Sequence, residues 1–385
     1  APVVDSLVRG EMLGLRALLH FDLLRMFGKG NLGNRRALLN TFTIPYSLDF
    51  NKYAPAQVTY EQFLYYLKKD IEEAIEYLYV DPITRREPLS YYQPYVDQAF
   101  LATDEYNRGI IDRNFRMNYY AAQALYARIL MWEGTPEAKG KALTVAEDLI
   151  ENAYYSWAYE NSVMVKNNEW WKSDLLFKNE HLFTMAVEKL EEYQTHTQGT
   201  RNWFDASSPG NTYQVVYLNQ SKAEEIYESP GIGDSDWRFI YCLLPQGQSR
   251  SYYGLVKLRQ HPEHTADYSR MIPMIRITEM YYIAAECRME AGPDYDKSKA
   301  LDYLNTVRRH RGIAQAEELP ASLTDAEVKE EIYKEYRKEF VGEGQIFFYY
   351  KRKGMETIPG YNGEMTDLQY QYPMPDDEIA LGGRI

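Results

Sequence analysis

"ARILMWEGTPEAKGKAL", Ala127 to Leu143, decides the fold, because the chain writes it a second time. "AECRMEAGPDYDKSKAL", Ala285 to Leu301, repeats A-x3-M-x2-G-x6-K-A-L at the same spacing, 158 residues on. In the second copy Ile277, Met280, Ala284, Cys287 and Ala291 recur at three- and four-residue steps, one face of a helix. Gly292-Pro293 breaks that helix, and Ala300, Leu304 and Val307 start a second stripe. The first copy does the same around Gly134-Thr135-Pro136, with Ala142, Ala146 and Leu149 beyond the turn. Each copy therefore predicts an antiparallel helix pair, with small residues where the helices cross closely. From Tyr119 to Asn152, or from Thr278 to Arg311, is 34 residues, the length of a tetratricopeptide (TPR) repeat. The strict consensus of that repeat is not met, so the pattern supports a TPR-like helical hairpin.

Helical periodicity extends outward from the hairpins. A first helix is predicted from about Ser6 to Phe27, with Leu15, Leu18, Leu19, Leu23 and Met26 as its apolar face and Gly28 and Gly30 as its stop. A loop rich in Asn, Gly, Pro and Tyr follows, from Lys29 to Thr59. "TYEQFLYYLKKDIEEAIEYL" then opens on a capping residue and carries Phe63, Leu67, Ile71, Ile75 and Leu78 at helical spacing. Near the end, "DAEVKEEIYKEYRKEF" is a charged amphipathic helix, and its run from Lys329 to Lys338 reads as a solvated face.

Between the hairpins, roughly Tyr154 to Pro273, the texture changes to Gly, Pro, Asn and Ser punctuation. Short apolar patches such as "HLFTMAV" and "YQVVYL" read there as strands. Trp157, Trp170, Trp171, Trp203 and Trp237, five of the six tryptophans, fall in this least repetitive part. Repeats build scaffold and loops carry function, so the distribution points to a site. "TRNWFDASS" gathers Arg201, Asn202, Trp203 and Asp205 in one short loop. A flat ring for the C–H face of a sugar, with Arg, Asn and Asp for its hydroxyls, suits carbohydrate; the alternative is that Trp203 and Phe204 pin the loop to the core.

Composition excludes several classes. A net charge of −13 argues against a phosphate-backbone ligand, which needs clustered Lys and Arg. The two cysteines, Cys242 and Cys287, make no disulfide framework and no metal cluster, though one bridge between them is open. No run approaches the roughly 18 apolar residues of a membrane span, so the sequence reads as a soluble body. Tyr outnumbers Phe by 36 to 14, which favours half-wet packing surfaces, a minority of them lining a site.

Catalytic signatures are missing. No nucleophile elbow, P-loop, H-E-x-x-H or dinucleotide fingerprint occurs. His261 and His264 stand three apart but around Pro262 and without a third ligand. Asp234 and Asp236, beside Trp237, are the best carboxylate pair for glycosidase chemistry, and a solvated turn or a calcium loop explains them equally well.

Several stretches together resemble the SusD/RagB family of outer-membrane nutrient-binding lipoproteins. "RGEMLGLRALLHFDLLRMFG" is similar to that family's early helix through Glu11, Arg16-Ala17, Phe21-Asp22-Leu23 and Phe27-Gly28. "PMIRITEMYYIAAECRMEAG" matches through Arg276, Glu279 and Ala285-Glu286; "NTVRRHRGI", "KEFVGEGQIFFYYKRKG" and "YPMPDDEI" resemble later elements. The departures are the lack of Pro soon after Phe27-Gly28, Gln345 where Arg is usual, and Tyr349-Tyr350 where Asp-Leu is common.

The resemblance implies a mostly α protein: TPR-like hairpins as scaffold, with a loop-rich irregular region carrying a few short strands. It implies one SusD-like domain over 1–385, with 1–153 and 274–352 as scaffold, 154–273 as the ligand-face insert and 353–385 as an extended tail. It also implies a surface-exposed lipoprotein of the outer membrane, anchored by an N-terminal lipid absent from this sequence. Such a protein binds a glycan or, in some branches, a peptide, partners a SusC-like TonB-dependent transporter, and has no catalytic activity, cofactor, metal or nucleic acid. The family's sites draw on the loop after the first helix and on the irregular middle. On residue type and loop placement the candidates are Trp203, Arg201, Asn202, Asp205, Tyr213, Trp171, Tyr46 and Tyr53.

Overall fold

The computed structural model of the chain describes residues 2–50, 52–85, 113–194, 203–204, 216–246, 251–261, 263, 270–382 and 384. The chain divides into two compact units, 1–154 together with 345–385, and 155–344. The echoed hairpin falls once in each. The expected architecture, helical pairs with a few short strands in small sheets, is what the structure shows.

In the first unit α1 (Pro2–Phe27) lies against α2 (Tyr60–Leu78). The α2 start is fixed by a capping box, Thr59 accepting from the Gln62 amide and Gln62 reaching back to Thr59. The core face of α1 is Leu7, Ala17, Leu18, Phe21 and Leu24, not the stripe expected from spacing, because Leu19 and Leu23 are exposed. Apolar residues ring most of this helix, so periodicity alone does not choose which face turns inward. The expected loop from Lys29 to Thr59 is partly ordered: β1 (Phe42–Pro45) pairs antiparallel with β2 (Gln57–Thr59).

The first copy of the phrase forms α3 (Tyr119–Glu133) and α4 (Pro136–Asn152). Asn118 and Thr135 cap the two helices, and Gly134 ends α3 in the left-handed region at φ 70°. Gly33 packs against this turn so closely that a Cβ there would lie 2.4 Å from the Gly134 carbonyl oxygen. The unit closes through α11 (Gln345–Lys353), whose buried Lys351 donates to the carbonyls of Arg25, Met26 and Tyr370. Arg25 and Met26 are at the carbonyl-bearing end of α1, where a cation is favoured.

In the second unit β3 (His181–Ala186) pairs antiparallel with β7 (Met271–Arg276), confirming "HLFTMAV" as a strand. Between them come α5 (Leu190–Gln194), β4 (Tyr217–Asn219), α6 (Gln220–Tyr227), α7 (Trp237–Ile240), β5 (Leu243–Gln246) and β6 (Tyr252–Leu255). The three short strands form one antiparallel sheet in the order β4-β6-β5. The second copy of the phrase follows as α8 (Ile277–Arg288) and α9 (Lys297–Arg309), against which α10 (Asp325–Glu339) packs.

Instead of being uniformly solvated, the charge run of α10 sends Glu335 and Lys338 inward, with Glu339 following. Glu339 accepts from Arg311 at 2.9 and 3.1 Å and from Arg238 at 3.2 Å, and pairs with Arg276 at 3.4 Å. Arg311 also grips Glu180 at 2.5 and 2.9 Å, and Arg276 reaches Glu343 at 2.9 Å. Burial alone would push these carboxyls up; the surrounding guanidinium groups outweigh it, holding Glu339 well below the usual range and Glu335 at about 2. The residues that carry the family resemblance, Arg276, Arg308, Arg311, Glu339 and Glu343, are thus interior ion pairs.

Candidate ligand-binding face

Four of the five tryptophans of the middle region serve packing. Trp170 is buried in a cluster with Val163, Leu175 and Phe177, and Trp237 packs against the same cluster. Trp237 also crowds Gly312, where a Cβ would meet its indole nitrogen at 2.2 Å. Trp157 stacks on His310 with centroids 4.3 Å apart, and burial pushes that imidazole down to about 4. Trp171 stacks on His261 at 4.0 Å and meets Trp170 edge-on at 5.8 Å.

Trp203 is different: 45% of it is exposed while its backbone is held from both sides. Its N–H donates to the Gln194 carbonyl at 2.9 Å, and its own carbonyl accepts from Val216 N–H at 2.7 Å. Gln194, the last residue of α5, spends its side chain on a third segment, donating to the Leu258 carbonyl at 2.7 Å and accepting from Gln260 N–H at 3.0 Å. His261 follows Gln260, so two expected residues, Trp203 and the Trp171 stacked on His261, are tied to one hub. Beside Trp203, Phe204 packs inward against the Tyr227, Phe239 and Leu255 cluster. The two alternatives for "WF" are therefore divided between its residues: Phe204 pins the loop and Trp203 faces outward.

The small sheet extends this surface. In its register Tyr217 pairs with Gly254 and Asn219 with Tyr252, which places Tyr217, Asn219 and Tyr252 on one face. The opposite face, Leu218, Tyr253, Leu243 and Leu255, packs on the interior. Tyr217 and Tyr252 meet edge to face at 5.0 Å, and Gly254 offers no side chain beside Tyr217. Tyr193, next to Gln194, is 72% exposed. Tyr193, Trp203, Tyr217 and Tyr252 thus belong to one set of chain segments linked by main-chain bonds. Three of these four were not singled out by sequence; the only signal was alternation in "YQVVYL" and "SYYGL", which does not say which face is wet.

The remaining candidates are placed as follows. Arg201, Asn202, Asp205 and Tyr213 lie outside the described residues. Tyr46, in the first unit, is buried: its hydroxyl donates to Asp70 at 2.6 Å and its ring stacks on His20 at 4.0 Å. Burial, then that bond, raises the hydroxyl far above its ordinary value. Arg16 grips the same Asp70 through two bonds of 2.6 Å, so Tyr46 belongs to an internal network. Tyr53 is 74% exposed on the segment between β1 and β2.

The acidic pair of the "DSD" turn is committed elsewhere. Asp236 is fully buried on Arg238, at 2.7 Å, and caps α7; Asp234 accepts from Ser229 and the Gly231 amide. Both cysteines are buried, and neither is in a disulfide. Among the described residues no group of three His, Cys, Asp or Glu side chains is arranged to hold a metal, and no helix is long and apolar enough to cross a membrane. A cleft of about 650 Å³ in the first unit, beside α2, is lined by charges that pair with one another, Lys68 with Glu133 and Lys141 with Glu72.

Residues 244–381 match the SusD family model, and the chain as a whole has the fold of SusD superfamily proteins. A SusD superfamily protein from Bacteroides vulgatus superposes with a TM-score of 0.68 at 22% identity, over 99% of this chain and 76% of that one. One from Bacteroides thetaiotaomicron gives 0.68 at 23% identity, over 98% and 77%. A SusD-like carbohydrate binding protein from Bacteroides vulgatus gives 0.64 at 15% identity, over 98% and 76%. No curated protein matches the sequence.

Proposed function

We propose that the chain is a non-catalytic binding protein for oligosaccharide or polysaccharide, held at the cell surface and delivering its ligand to a SusC-like TonB-dependent transporter of the outer membrane. The observation that carries the binding step is Trp203, an exposed indole whose backbone is bonded on both sides. A ring fixed in this way stacks on the C–H face of a sugar without first losing the freedom of a mobile loop. The family match over 244–381 and the likeness to a carbohydrate binding protein support the same reading. Catalysis finds no support in the best carboxylate pair, since Asp236 is sealed under Arg238.

Each stacked ring contributes on the order of 1 kcal/mol, so several rings together with hydrogen bonds to the sugar hydroxyls give weak affinity, micromolar to millimolar. A glycan array probed with the purified chain tests the reading. Binding to at least one glycan class is expected. Binding to peptides alone would replace it with a peptide receptor, and binding to neither with a protein-interaction scaffold. Release of reducing sugar from a bound polysaccharide would contradict the absence of turnover.

A further inference from the structure

We infer that Asn362 is a site of spontaneous covalent modification: its side chain closes on the Gly363 amide to a cyclic imide, which water opens to aspartate or isoaspartate. Asn362-Gly363 is the single Asn-Gly pair in the chain. It stands in the first unit, on the loop between α11 and the one-turn helix Asp367–Tyr370. The reaction asks three things of its surroundings. The asparagine must be open to water, the next amide nitrogen must be held by no acceptor, and the residue that supplies this nitrogen must carry no obstructing side chain.

All three hold at Asn362. Asn362 and Gly363 are both exposed. The loop is closed at its base by Met365 N–H, which donates to the Glu356 carbonyl at 2.8 Å. Within that closure Tyr361 N–H reaches the Ile358 carbonyl only at 3.4 Å, and among the described residues nothing accepts from Gly363 N–H. Backbone N–H groups are ordinarily committed. The amides that follow Asn152, Asn161, Asn168, Asn179 and Asn219 are examples, donating to main-chain carbonyls at 2.9–3.0 Å. Gly363 brings no Cβ to the reaction, and the Tyr361 ring, 2.8 Å from where a Cβ would stand, takes that space.

The chemistry needs only water and hydroxide. The Gly363 amide loses its proton to hydroxide and attacks Cγ of Asn362. The new C–N bond replaces the bond to the side-chain nitrogen, which takes a proton from water and leaves as ammonia. Water then adds to either carbonyl of the imide. Opening on one side leaves an aspartate side chain; opening on the other routes the main chain through the former side chain as isoaspartate. Nothing is oxidised or reduced. Either product adds one negative charge to the chain's −13. The charge arrives beside Glu364, on a cavity of about 300 Å³ lined also by Arg35, Glu356 and Asp367.

The test is incubation of the whole folded chain at pH 7 and at pH 9, followed by anion-exchange chromatography and peptide mapping. Cleavage after Lys353 and Arg384 releases residues 354–384, in which Asn362 is the one asparagine. That fragment should exchange NH2 for OH and separate into aspartate and isoaspartate forms, faster at pH 9, while Asn161 and Asn179 stay intact. Hydroxylamine should trap the imide as a hydroxamate. Gly363→Ala should slow the conversion by about tenfold, a barrier increase of ~1.4 kcal/mol. Conversion of Asn362 no faster than that of Asn161 overturns the inference. So does conversion in urea with none in the folded chain, because the fold would then be holding the loop against closure. An unchanged rate in Gly363→Ala would overturn the part given to the open glycine amide.

Discussion

The interior of the second unit and its aromatic face use side chains in opposite ways. Inside, Arg276, Arg308, Arg311, Glu335 and Glu339 are charged and almost wholly buried. Outside, Trp203, Tyr193 and Tyr217 are large rings left partly in water. Buried charges persist only when every one is paired, so the interior tolerates little change. The exposed rings take no part in that ion-pair network, so the face can be altered while the network stands. The same division separates the residues that carry the family resemblance from those proposed to meet a ligand.

Breaking the interior should give the largest effect. Glu339→Ala leaves Arg311, Arg276 and Arg238 short of a shared carboxylate and should cost roughly 3–5 kcal/mol, read as a fall in the denaturant midpoint. A loss under about 1 kcal/mol would show that the network is not what holds the unit together.

Acid should act on the same interior through His181. Its Nε2 faces the Leu176 carbonyl at 2.8 Å, which only accepts, so that nitrogen carries the proton and Nδ1 accepts from the Thr184 hydroxyl at 2.8 Å. Burial, reinforced by Arg276, pushes this neutral ring down to about 4. The unfolded chain binds the proton from about pH 6.5 downward, so the contribution is complete above 6.5 and lost progressively as pH falls to 4. That amounts to roughly 3 kcal/mol. Melting temperature against pH should therefore slope less over this window in His181→Asn than in the unaltered chain, and equal slopes would contradict the assignment.

The two copies of the hairpin phrase sharpen the contrast between sequence likeness and physical demand. The turn of the first copy is pressed by Gly33, whereas nothing lies within 4 Å of a Cβ placed on Gly292 in the second. Gly33→Ala should cost about 1–3 kcal/mol, because the colliding partner is main chain that does not yield. Melting curves within a degree of the unaltered chain would show that the turn relaxes freely.

Much of the scaffold was legible in the sequence because helical periodicity, a capping box at Thr59 and a turn glycine at Gly134 are local signals. The charged stretch of α10 misleads for the same local reason. Whether Glu335 faces water or Arg308 depends on residues far away in the chain. The site was legible only as a region. Trp density points to the insert, but four of those rings are packing, and proposing Trp203 among them rests on its exposure and its two backbone bonds. The pairing that puts Tyr217 beside Tyr252 joins residues across a register no local pattern states.

Trp203→Ala should show the smallest change in stability and the clearest change in function. Removing an exposed ring shifts folding free energy by about 0.5 kcal/mol at most. The decisive measurement is the pair of ratios obtained on one preparation: affinity for the best array glycan, and melting temperature, each for Trp203→Ala against the unaltered chain. A loss of affinity of about fivefold or more with an unchanged melting temperature is the expected result; unchanged affinity with a collapse in melting temperature would make Trp203 a packing residue and contradict the account.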